Sequence, residues 1–141
     1  MIGNYSDAAL AAERPEEFYL GEGNSRAAFL INGVVYKVAS HSFYNESEIT
    51  NGELLREYGL PAGCDIPDMT LFDNGVLAME YINGTLMGDC IDAILGMPCA
   101  TPESCISDHL SMLLTGINFW DQSYGNMIKA NDGTIYLIDV A

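Results

Sequence analysis

The chain has 141 residues, and one of this size buries roughly 68–70% of its unfolded surface, so it can build a core without metal or disulfide staples. It is 49% hydrophobic and 18% charged, which excludes a disordered tail and a coiled coil. Twenty Asp and Glu face 5 Lys and Arg, a net charge of −15. The five cations (Arg14, Arg26, Lys37, Arg56 and Lys129) are scattered with no two adjacent. They cannot assemble a basic face, so nucleic acid and anionic membrane are excluded as partners.

Cys64, Cys90, Cys99 and Cys105 contain no C-x-x-C pair, and the two histidines, His41 and His109, are isolated. The thiols read as reduced residues of a cytoplasmic protein rather than as metal ligands. Met1 to Ser6 lacks the basic start and apolar run of a signal peptide. No stretch approaches the roughly 18 apolar residues of a membrane span.

In chain order, Asp7 to Glu13 reads as a short helix ending near Arg14-Pro15. Residues 18 to 39 read as a three-stranded antiparallel meander. Its first turn holds Gly21 and Gly23, and its second is Asn32-Gly33, the dipeptide best suited to two successive positive φ angles. Asn45 to Tyr58 carries a helical pattern with Ile49, Leu54, Leu55 and Tyr58 as its apolar side, weakened by Asn51-Gly52. Thr70 to Phe72 and Gly75 to Ile82 are strands joined through Asp73-Asn74-Gly75. Beyond Gly84 the pattern becomes helical: Cys90 to Leu95, then a helix capped by Thr101 with Pro102 at its first position, stopping at Gly116. Asn126 to Lys129 and Thr134 to Ile138 form a closing hairpin around Asn131-Asp132-Gly133. The order implies an α+β protein in two parts.

Three features bear on chemistry. Gly21-x-Gly23 lies between two strands, where small residues let backbone N–H groups approach a phosphate, although a glycine pair also serves as an ordinary turn. Lys37 stands among Val34, Val35, Val38 and Ala39. It lies either on a strand with one solvent face or buried, in which case the ammonium needs a partner. Asp121 and Asn126 are five residues apart, and Asp139 follows thirteen later, after an apolar run. A hairpin could bring the three together. Asn and Asp oxygens suit Mg²⁺, and the remaining carboxylate could accept a proton from a hydroxyl, although all three residues are also common in turns.

Taken in order, these segments resemble the protein-kinase-like fold, in particular small bacterial and phage kinases and aminoglycoside-phosphotransferase relatives. Leu20 to Phe29 is similar to their glycine-rich loop, Val35 to Ala39 to the strand with the ATP lysine, and Leu77 to Gly84 to the last small-lobe strand and hinge. Asp121 to Asn126 resembles the catalytic loop, and Tyr136 to Ala141 the metal-binding segment. The resemblance implies a five-stranded antiparallel small lobe with one helix in residues 1–84. A minimal helical second lobe, ending in a β-hairpin, would occupy 85–141. It also implies ATP and Mg²⁺ as cofactors. By the same resemblance Gly21, Gly23, Ser25 and Arg26 line the phosphates, and Lys37 contacts them. Glu48, from Asn45-Glu46-Ser47-Glu48, pairs with Lys37, with Glu53 as the alternative. Met79 is the gatekeeper, Glu80 and Ile82 bind adenine through backbone groups, Asp121 is the catalytic base, and Asn126 and Asp139 hold the metal.

Departures accompany the likeness. Arg26 replaces the third loop glycine, Phe119 stands where a His usually precedes the catalytic Asp, and Ala141 replaces the closing Gly. The resemblance also ends before the later large-lobe helices. The sequence therefore supports a miniature ATP/Mg²⁺-dependent phosphotransferase, acting on a protein Ser/Thr or a small-molecule hydroxyl in the cytoplasm (the host's, if phage-encoded). The alternative is a non-catalytic kinase-like binding protein, a phage-type inhibitor or host modulator, whose acidic surface meets a basic protein partner. A homodimer in which a second copy covers the apolar surface left by the missing helices is also expected.

Overall fold

In the computed structural model, residues 1–22, 25–60, 63–86 and 127–138 are described. Among these residues two α-helices, α1 (Tyr5–Ala12) and α2 (Ser42–Tyr58), accompany nine strands. The strands are β1 (Tyr19–Glu22), β2 (Arg26–Ile31), β3 (Val34–Ala39), β4 (Cys64–Asp65), β5 (Met69–Leu71), β6 (Leu77–Glu80), β7 (Gly84–Leu86), β8 (Met127–Ala130) and β9 (Ile135–Leu137). The fold is α+β, as the element order implies. It comprises two units: Met1–Thr50 with Pro67–Tyr81, and a second beginning with Asn51–Ile66 and resuming at Ile82.

The first unit contains a five-stranded antiparallel sheet ordered β1-β2-β3-β6-β5. Its central hairpin follows from Asn32 and Gly33, whose φ angles of 50° and 78° make a two-residue turn of the hand that matches strand twist. Ile31 then pairs with Val34, and the register runs unbroken to Arg26 opposite Ala39. Asn32 is fixed further by its amide, which donates to Asp7 Oδ2 at 3.0 Å.

Side chains on β2 alternate between half-buried and buried, whereas four consecutive residues of β3 are buried. A strand buried on both sides needs a cover on each. On one face Ala27, Phe29, Ile31, Tyr36, Val38 and Ala78 pack with Ala8 and Ala11 of α1. Burying side chains such as Phe29 and Ile31 contributes about 1.5–3 kcal/mol each. The α1 helix is placed by its cap: Asn4 Oδ1 accepts from the Asp7 N–H at 2.8 Å, and the Asn4 N–H donates to the Tyr36 hydroxyl at 3.2 Å. Gly3 has φ +74°, and a Cβ there would lie 2.7 Å from that hydroxyl, so the close approach requires glycine.

The opposite face of β3 meets α2, which begins at Ser42, earlier than its pattern predicts. Its burial also departs from expectation. Asn45, Glu48, Asn51 and Gly52 are buried with Leu55, while Ile49 and Leu54 are only half-buried. These positions recur at helical spacing, so the covered stripe is mainly polar. Its rotation follows hydrogen bonds from Asn45 and Glu48 to the sheet.

The second unit holds a four-stranded sheet ordered β4-β9-β8-β7, with β4 parallel to β9 and the other pairs antiparallel. The β8–β9 hairpin is the predicted one. Asp132 accepts from the Thr134 N–H at 2.9 Å, which with its bond to the Thr134 hydroxyl holds the carboxyl below the ordinary carboxylate range. Residues from Gly84 onward were expected to turn helical, yet Gly84–Leu86 is a strand against β8. Glycine is essential to this pairing, because a Cβ on Gly84 would lie 2.1 Å from the Lys129 carbonyl oxygen. The helices expected over 90–95 and 101–116 lie outside the described residues. None of the described helices is long and apolar enough to cross a membrane.

Candidate functional site

Lys37 lies at the centre of the first sheet, opposite Ala28 of β2 and Leu77 of β6. Val35, two residues earlier, pairs with Met79. Residues at such positions share a face, so Lys37 is a cation among Ala28, Val35, Leu77 and Met79. It is 7% exposed. An isolated ammonium there would carry a heavy desolvation cost, which a well-aligned carboxylate relieves.

Glu48 on α2 is that carboxylate. Lys37 Nζ donates to its two oxygens at 2.8 and 2.9 Å, and Glu48 is 1% exposed. Arg26, the first residue of β2, donates from Nη1 to Glu48 Oε1 and, at 3.2 Å, to Asn45 Oδ1. Asn45 donates in turn to the Lys37 carbonyl at 2.9 Å and to the Gly75 carbonyl at 2.7 Å. Two of the five cations thus converge on one carboxylate. Burial by itself would push the Glu48 pKa up; the Lys37 ammonium and then the Arg26 guanidinium outweigh it and hold the carboxyl below its ordinary value of 4.5. No buried side-chain nitrogen or oxygen among the described residues lacks a hydrogen-bond partner.

The remaining site residues read from the sequence are distributed as follows. Gly21 lies in β1 opposite Ala28, beside an irregularity in the β1–β2 register, and a Cβ there would meet nothing within 4 Å. The Ser25 carbonyl accepts from the Ser40 N–H at 2.9 Å and from its hydroxyl at 3.3 Å, extending the β2–β3 pairing by one residue beyond Arg26 and Ala39. Met79 is buried in β6. The Glu80 N–H donates to the Asp68 carbonyl at 3.0 Å, which commits that group to the sheet. Ile82 is buried and belongs to the second unit. Gly23, Asp121, Asn126 and Asp139 lie outside the described residues. Their nearest described neighbours show one relevant feature: Met127 pairs with Leu137, so the strands leading to Asn126 and to Asp139 meet at one end of the β8–β9 hairpin.

The sequence reading did not find the bond between Arg26 and Asn45, nor the part Asn45 plays in holding α2 to Lys37. The available signal was the three-residue spacing of Asn45 and Glu48, which puts both on one side of a helix.

No protein-family model matches the chain, and no curated protein matches it. Several solved structures of WbdD match the chain. A crystal structure of WbdD matches at 23% identity and TM-score 0.46, covering 86% of this chain and 31% of that one. The complex of WbdD with the kinase inhibitor LY294002 matches at 23% identity and TM-score 0.44, over 86% of this chain and 32% of that one. A structure of the bifunctional kinase-methyltransferase WbdD matches at 24% identity and TM-score 0.43, over 99% and 32%. The chain spans about a third of the length of these structures.

Proposed function

We propose that this chain is an ATP-dependent phosphotransferase of kinase-like construction. The observation that carries the reading is the buried Lys37–Glu48 pair on the face of the sheet that also holds Val35 and Met79, with the glycine hairpin leading into β2. A buried ion pair stabilises a fold no better than apolar residues of the same volume, so stability alone does not explain a lysine here. An ammonium fixed by a carboxylate is suited instead to positioning the α- and β-phosphates of a nucleotide. The apolar side chains beside it offer a surface for a purine ring.

Asp121 is proposed to accept the proton of an acceptor hydroxyl as that oxygen forms its bond to the γ-phosphorus. The bond from the γ-phosphorus to the β,γ-bridging oxygen then breaks and ADP leaves. Asn126 and Asp139 are the residues that would hold Mg²⁺, which neutralises phosphate charge when bound. The convergence of the two hairpin ends next to them supports this pairing of ligands. The acceptor is a protein Ser/Thr or a small-molecule hydroxyl.

Millimolar ATP with Mg²⁺ should raise the unfolding midpoint, since a ligand at 100 times its Kd stabilises by about 2.7 kcal/mol. Asp139→Asn should abolish most of that shift. Transfer from labelled ATP into lysate components, lost in Asp121→Ala, would then separate catalysis from binding. Absence of any shift in the unaltered protein would refute the phosphotransferase and favour a non-catalytic acidic binding protein that recruits a basic partner.

A further inference from the structure

Arg26 follows directly on the glycine hairpin and opens β2 opposite Ala39, while Ala28 lies opposite Lys37. Arg26 and Lys37 are therefore diagonal neighbours on one sheet face. Two cations placed so would repel, and the small side chain of Ala28 does not separate them. Both instead donate to the same oxygen, Glu48 Oε1. The Arg26 side chain is 8% exposed and also donates to Asn45, one turn before Glu48 on α2. Asn45 is fully buried and fastened to the carbonyls of Lys37 and Gly75. A chain of charged and amide hydrogen bonds thus runs from the exit of the hairpin, through α2, to the lysine.

We infer that Arg26 is a positioning residue of the nucleotide site: clamped by Glu48 and Asn45, it fixes the start of β2 relative to Lys37, so that strand and ammonium meet the phosphates in one preformed arrangement. The inference rests on the phosphotransferase reading and adds a part that reading does not require. A guanidinium suits the task because the two hydrogens of Nη1 point in fixed directions and address acceptors on adjacent turns at once, whereas an ammonium acts as a point charge. Losing the clamp frees the start of β2 from α2 but leaves the apolar purine surface beside Lys37 intact. The effect should therefore fall on phosphate-bearing ligands alone.

The test is calorimetric titration of the full chain with ATP plus Mg²⁺ and, separately, with adenosine. Arg26→Ala should weaken ATP about tenfold, about 1.4 kcal/mol of lost preorganisation, and leave adenosine within about twofold. Arg26→Lys should recover part of the ATP affinity. Should Arg26→Ala fail to fold, Arg26→Gln keeps a polar side chain without the charge and the reach to Glu48, and should show the same split. Unchanged ATP affinity, or an equal loss for ATP and adenosine, overturns the inference and leaves Arg26 a purely structural residue. If the unaltered protein binds ATP, such a result refutes the clamp alone; if it binds no ATP, the phosphotransferase reading and the clamp fall together.

Discussion

Glu48→Gln isolates the charge at the centre of the site. The replacement keeps the length and shape of the side chain but substitutes an amide NH₂ for one carboxylate oxygen. That donor would face the ammonium of Lys37 or the guanidinium of Arg26, both of which lie against Glu48. Three nearly fully buried side chains take part, so solvent offers little relief. Breaking a buried pair while leaving the opposite charge in place costs about 3–5 kcal/mol, a large share of the roughly 5–15 kcal/mol that holds a domain together. Treated as one cooperative unit, a chain of 141 residues loses about 3 °C per kcal/mol, which gives a midpoint lowered by about 10–15 °C.

The pH dependence has a definite sign. Because the fold holds the Glu48 carboxyl below its ordinary value of 4.5, its contribution is complete above that value and disappears as pH falls through the folded one. The gap between the unaltered protein and Glu48→Gln should therefore be widest at neutral pH and close in acid. Replacing the whole cluster, as in Arg26→Met/Lys37→Met/Glu48→Leu, should restore much of the midpoint, since apolar residues of similar volume replace a buried ion cluster without loss. Thermal unfolding followed by circular dichroism from pH 7 to pH 3.5 measures all three proteins. A Glu48→Gln midpoint within about 2 °C of the unaltered protein, or a gap that stays constant into acid, would refute the reasoning.

Two further expectations concern the second unit. Gly84→Ala should destabilise by about 3 kcal/mol or more, because the new methyl collides with the Lys129 backbone rather than with a side chain that could turn away; denaturant titration showing a loss under about 1 kcal/mol would contradict the β7–β8 register. Burial pushes the Cys64 thiol up to about 11, so at pH 8 about one thiol in a thousand is ionised. Peptide mapping should find Cys64 alkylated far more slowly in the native protein than in urea, and equal rates would mean that its surroundings are not those described.

The parts of this fold that could be read in advance are those written in local chemistry. Asn32-Gly33 dictates its own turn, and the β-branched and aromatic runs on either side make the sheet's central hairpin. The turn in which Asp132 accepts from Thr134 marks the last hairpin in the same way. What escaped notice depends on distant partners. The strand Cys64–Asp65 has two residues and Gly84–Leu86 three, too few for a period, and their pairing is set by β9 and β8 much later in the chain. Helix α2 misled for a different reason: its buried side is chosen by Asn45 and Glu48 reaching polar groups of the sheet, so apolar periodicity pointed to Ile49 and Leu54 instead. The resemblance that singled out Glu48 could not show that Arg26 shares it, because the two lie 22 residues apart.

The two sheets differ in when they can form as the chain leaves the ribosome. Every strand of the first sheet lies before residue 81, and its hairpins close short loops, which incur little entropy loss. The second sheet joins Cys64 to Ile135 and Gly84 to Ala130, so neither β4 nor β7 can find its neighbour until the final hairpin has been made. Synthesis at about 5–20 residues per second leaves those two short strands without partners for several seconds. Pairings of such long sequence separation are also the slow ones to form. The five-stranded sheet can thus assemble first, with the lysine and its carboxylate already within it, while the second unit assembles last.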